Sequence, residues 1–102
     1  MPRRDAIQRM LEKEPDDIFL NFSLAMELSK EGLTDQALAQ FDRVMSLEPS
    51  YTAAYFQKAN ALIGATRVPE ARECLRNGIM AAQKAGDSHT ASEMRGVLDG
   101  LG

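Results

Sequence analysis

The chain contains one cysteine, Cys74, and one histidine, His89, among its 102 residues. No disulfide can close within it, and a cysteine-based zinc site is excluded. No histidine lies near Cys74 in sequence to activate it as a nucleophile, so Cys74 reads as a small core or boundary residue. His89 sits at an expected helix start and reads as a surface residue. Glycine-rich phosphate loops and metal-ligand spacings are missing. The adjacent carboxylates Asp16 and Asp17 read as helix caps. Catalysis, a metal and a cofactor are therefore not expected. No apolar run approaches the roughly 20 residues that a membrane helix requires. Met1-Pro2-Arg3-Arg4-Asp5 begins basic, but no unbroken apolar stretch follows, so no signal peptide is expected and a cytoplasmic location is. Basic excess is also lacking. Lys and Arg number 12 against 15 Asp and Glu, a net charge of −3. Phosphate neutralisation needs a basic face, so general nucleic-acid binding is not expected.

What is present is repetition. Pro15 and Pro49 stand 34 residues apart, and each closes a similar phrase, Leu11-Glu12-Lys13-Glu14-Pro15 and Ser46-Leu47-Glu48-Pro49. The same shift aligns Ile7/Phe41/Leu75, Leu11/Met45/Ile79, Phe22/Phe56, Ala25/Ala59, Leu28/Leu62 and Ala37/Ala71. Small residues fall on small ones and large apolar residues on large ones. Apolar residues recur at i, i+3, i+4 and i+7 throughout, the period of amphipathic helices and not of strands. The pattern predicts helices near 3–13, 17–31, 34–47, 51–65, 68–85 and 88–100. A helical repeat of this length specifies an all-α antiparallel solenoid.

Punctuation supports those limits. Pro15 disfavours helical geometry at Glu14 and ends the first helix. Asp16 or Asp17 is expected to cap the second, Thr34 the third and Ser50 the fourth. Gly32 suits a left-handed helix terminus. Pro69 sits in a first turn, where its missing N–H costs nothing. Gly86-Asp87-Ser88 reads as a stop followed by a cap. Connections of this brevity make consecutive helices antiparallel neighbours.

These residues resemble the tetratricopeptide repeat family. The resemblance rests on Leu24, Ala25, Leu28, Gly32, Ala37, Phe41 and Pro49 in one unit, and on Tyr55, Ala59, Leu62, Ala71 and Leu75 in the next. It divides the single domain into a half repeat (1–17), two repeats (18–51 and 52–85) and a capping helix (86–102). Three departures stand out. Thr66 replaces the glycine seen at Gly32, which predicts a reshaped second turn. Gly78 replaces the apolar residue of Met10 and Val44. Gln83 replaces the proline, which predicts a longer fifth helix.

The resemblance implies a non-catalytic protein–protein interaction module with a concave groove lined by the first helix of each repeat. Mapped onto this chain, the groove residues are Phe19, Phe22, Met26 and Lys30 from one helix and Phe56, Asn60 and Ile63 from the other. Phe19, Phe22 and Met26 lie off the internal apolar stripe, and a surplus face of this kind points to an interface. The plainer alternative is that Phe22 and Phe56 pack within the domain. A lysine–asparagine clamp for a terminal carboxylate is not present, because Phe56, Phe22 and Met26 occupy its other places beside Asn60. The partner is expected to be a peptide or helix of another protein. The alternative is a homodimer that pairs through the same face. Residues 18–51 carry a charge balance of −3 and residues 52–85 one of +3, which reads as solvated helix faces or as a polarity favouring head-to-tail association.

Overall fold

The structure, a computed structural model, describes residues 2–102; Met1 lies outside the described residues. Six helices follow one another: α1 (Arg3–Lys13), α2 (Ile18–Lys30), α3 (Thr34–Leu47), α4 (Thr52–Gly64), α5 (Val68–Lys84) and α6 (Ser88–Gly100). Each packs on the next. In addition α2 touches α4 and α4 touches α6, whereas α1, α3 and α5 do not meet one another. The layer of α2, α4 and α6 is thus the more tightly gathered one, and the array curves towards it. Its extents are 40 × 29 × 17 Å.

Helix termini show how the sequence sets this geometry. Asp17 caps α2, its carboxylate accepting from the Leu20 N–H at 2.8 Å. Asp87 caps α6 by accepting from the Thr90 N–H at 3.1 Å. The two hydroxyl caps expected at Thr34 and Ser50 do not form. Leu33 and Tyr51 hold those cap positions without a side-chain bond, and both pack into the first core. Burying an apolar residue at the turn displaces the hydroxyl by one place. Ser50 Oγ instead donates to Glu48 Oε1 at 2.8 Å.

The second turn is not reshaped. Thr66 adopts a left-handed φ of 58°, matching Gly32 at 79°. Leu33 N–H donates to Leu28 O at 3.0 Å, and Arg67 N–H repeats the bond to Leu62 O at 2.8 Å. This paired six-residue closure satisfies carbonyls that a helix end leaves free. It overrides the steric preference of a β-branched residue against positive φ. Asp87 N–H makes the same bond to Ala82 O at 2.8 Å, with Gly86 at φ 76°. Helix α5 therefore runs to Lys84, as the loss of the proline predicts, and closes like α2 and α4.

Two cores fill the array. The first gathers Ile7, Leu24, Ala25, Leu28, Ala37, Phe41, Val44 and Ala54. The second gathers Leu38, Ala59, Leu62, Ala71, Cys74, Leu75, Ile79, Ala82, Ala91 and Met94. Ala25, Ala37, Ala59 and Ala71 are fully buried, which lets helix axes approach closely. Gly78 is small for a similar reason. A Cβ there would lie 2.6 Å from Met94 Sδ and 2.8 Å from Tyr55 Cβ. Met10, the first-unit counterpart of buried Val44, is 49% exposed, because α1 has α2 alone as a neighbour among the described residues.

Charge polarity along the chain is partly consumed inside it. Lys58 Nζ bridges Asp42 at 2.6 Å, and Arg67 Nη1 bridges Asp35 at 2.8 Å. Both pairs cross from the basic second repeat to the acidic first. They are exposed enough that each contributes little to stability.

Candidate functional site

A groove of about 570 Å³ opens on the inner layer between α2 and α4. From α2 it takes Met26, Glu27, Ser29 and Lys30, and from α4 Gln57, Asn60, Ala61 and Gly64. Gly32, Thr34 and Ala65 close one end. Three of the seven residues expected from sequence, Met26, Lys30 and Asn60, meet here. Met26 is 37% exposed. Lys30 has no ion-pair partner among the described residues, whereas its neighbour Glu27 is held at 3.0 Å by Arg3 from α1. The groove thus offers an apolar thioether, a free ammonium and the side-chain amides of Gln57 and Asn60.

The other four expected residues lie elsewhere. Phe19 is 68% exposed but outside the groove lining. Phe22 is not surplus to the core. Its ring meets Tyr51 edge-on at 5.2 Å and Phe41 at 6.1 Å, a favourable aromatic geometry. Phe56 and Ile63 are half-buried against the second core. The helical period puts Phe22 off the stripe facing its own partner helix, but in a stacked array an inner helix also has neighbours beside it. That lateral burial is what a single-helix reading misses. Phe56 still borders a smaller cleft of about 430 Å³ between α4 and α6, with Thr52, Asp87 and Glu93. Gln57 lines both openings, so the inner surface is continuous from α2 to α6.

Cys74 is buried, its thiol donating to Tyr55 O at 3.3 Å. Burial pushes that thiol up to about 11, so at neutral pH it is not the thiolate a nucleophile needs. His89 is exposed and meets Glu93 at 3.1 Å. Among the described residues, no three His, Cys, Asp or Glu side chains converge as metal ligands would. No helix among the described residues is long and apolar enough to cross a membrane.

A family model described as tetratricopeptide repeat matches residues 28–92. The chain belongs to the tetratricopeptide repeat family. An uncharacterized protein of Methanocaldococcus jannaschii is 36% identical over 58 residues, spanning 57% of this chain and 67% of that protein. Among solved structures, a Bordetella parapertussis protein determined in solution shares 25% identity, with 99% of this chain and 88% of that one covered and a TM-score of 0.86. The TPR2B domain of yeast Sti1, solved in a complex with pHsp70, superposes with a TM-score of 0.85 over 96% of this chain and 78% of that one. At 21% identity it shares the fold. Tetratricopeptide repeats are interaction modules, which places the chain in the protein-binding class.

Proposed function

We propose that this protein binds a peptide or helix of another protein along its inner surface and carries out no catalysis, acting as a scaffold in the cytoplasm. The observation that carries this reading is the open groove between α2 and α4, which draws Met26 and Lys30 from one repeat and Asn60 from the next. A site built jointly by two repeats forms only in the folded array. Its amides suit a peptide backbone, Met26 an adaptable apolar contact, and unpaired Lys30 a carboxylate on the ligand. The Sti1 domain, solved in a complex with pHsp70, supports the use of this fold for such a ligand. Phe19, exposed on the same helix, would extend the contact beyond the groove, and Phe56 would border it towards α6.

Selection of displayed peptides against the protein, followed by titration, tests this. Binders should lose more than about tenfold in affinity, roughly 1.4 kcal/mol, to a Met26→Glu/Asn60→Arg variant that keeps wild-type helicity. They should bind an Arg95→Ala control on α6 unchanged. Equal binding to both variants would place the interface off the groove. Light scattering on the same samples would detect a homodimer that pairs through this face.

A further inference from the structure

Internal repetition provides a second inference, because one repeat fills a cleft that the other leaves open. In the first repeat Arg43 lies across the turn before α2. Its Nη2 donates to Pro15 O at 3.1 Å and to Asp16 Oδ1 at 2.8 Å, and its Nε donates to Asn21 Oδ1 at 3.2 Å. Asn21, buried beneath it, also donates to Pro15 O at 3.0 Å. Thirty-four residues on, Pro15 becomes Pro49, Asn21 becomes Tyr55 and Arg43 becomes Asn77. Asn77 is too short to span the turn, and the equivalent space is a cleft of about 580 Å³. It shares no lining residue with the inner groove.

We propose that this cleft between the α3–α4 turn and α5 receives an arginine side chain from a partner polypeptide, in the place that Arg43 takes in the first repeat. Three features match a guanidinium. Pro49 O accepts no hydrogen bond among the described residues, whereas Pro15 O accepts two. Glu48 stands in for Asp16: Ser50 N–H and Oγ hold its Oε1 at 3.3 and 2.8 Å, leaving Oε2 for an incoming donor. Tyr55 borders the cleft with an aromatic surface, which a guanidinium stacks on better than an ammonium does. Met80, 63% exposed, offers an apolar wall for the side-chain stem. Lys84 also lines the cleft and offsets the charge of Glu48. Recognition therefore depends on planar, directional hydrogen bonding and stacking more than on bulk attraction.

Titration with N-acetyl-arginine amide, followed by amide NMR, tests the proposal. Saturable shifts should centre on Ser50, Tyr55, Asn77 and Met80, and N-acetyl-lysine amide should bind about tenfold more weakly. Asn77→Arg should refill the cleft from within and abolish the shifts. Glu48→Gln, on an exposed turn, should weaken them without touching the fold. Absent shifts, equal response to the two amides, or shifts that survive both substitutions would each overturn the proposal. A wild-type dimer that Asn77→Arg dissociates would replace the foreign partner with a second copy of this chain. Loss of binding to the inner groove leaves these readouts unaffected, so the two sites fail separately.

Discussion

Gly78 shows how much one hydrogen in place of a methyl decides. Helix interiors usually gain about 1 kcal/mol from Gly→Ala. Here the added Cβ would meet Tyr55 Cβ at 2.8 Å, an atom fixed to the α4 backbone. Gly78→Ala should therefore lower stability by ~1–3 kcal/mol, read as a reduced denaturation midpoint in urea. Thr66 presents the opposite case. Its φ of 58° suits glycine, so Thr66→Gly should raise stability by about 1 kcal/mol. An unchanged midpoint would mean that the Thr66 hydroxyl, which donates to Ala65 O at 2.6 Å, offsets the backbone strain. Sequence alone foretold a departure at this turn, and the structure keeps the geometry. The closing hydrogen bonds to Leu62 and Ile63 carbonyls outweigh the preference of a single residue.

At the scale of the helix, boundaries were legible and caps were only partly so. Proline, glycine and a strict apolar period place all six helices to within a residue or so, because each signal acts on local backbone geometry. Asp17 and Asp87 cap as their position suggests. Thr34 and Ser50 do not, since which residue turns into the core depends on tertiary contacts of Leu33 and Tyr51. The Asp87 cap is sensitive to pH. Hydrogen bonds from Thr90, and then from Thr52 at 3.0 Å, hold its carboxyl below the usual carboxylate range. A lowered folded-state value stabilises at pH above the ordinary aspartate value and is lost as pH falls through the lowered one. Asp87→Asn should thus melt earlier than wild type at neutral pH. The gap should close once acid protonates Asp87 in both folded and unfolded chains. A constant gap across that range would exclude charge as the source of the effect.

For the whole molecule, the fold was readable from periodicity while the site was readable only in part. Met26, Lys30 and Asn60 meet in one groove because repeat register transfers directly into space. For Phe22 the sequence left groove and interior both open, because the deciding contacts come from Phe41 and from Tyr51, 29 residues away across a turn. The cleft beside Asn77 was invisible for a related reason. An arginine-to-asparagine difference has no meaning until Arg43 is seen lying over Pro15. It follows that Phe22→Ser with Phe56→Ser should cost roughly 3 kcal/mol or more and lower the thermal midpoint sharply. A variant that melts like wild type would return both rings to the binding surface.

The two cores are distinct, one centred on Phe41 and the other on Leu75, and α3 and α4 meet along the seam between them. The groove spans that seam, with α2 anchored in the first core and α4 in both, through Ala54 in the first and Ala59 and Leu62 in the second. Any ligand lying across it would act as a splint. Amide hydrogen exchange should then slow on both sides of the seam together when it is occupied.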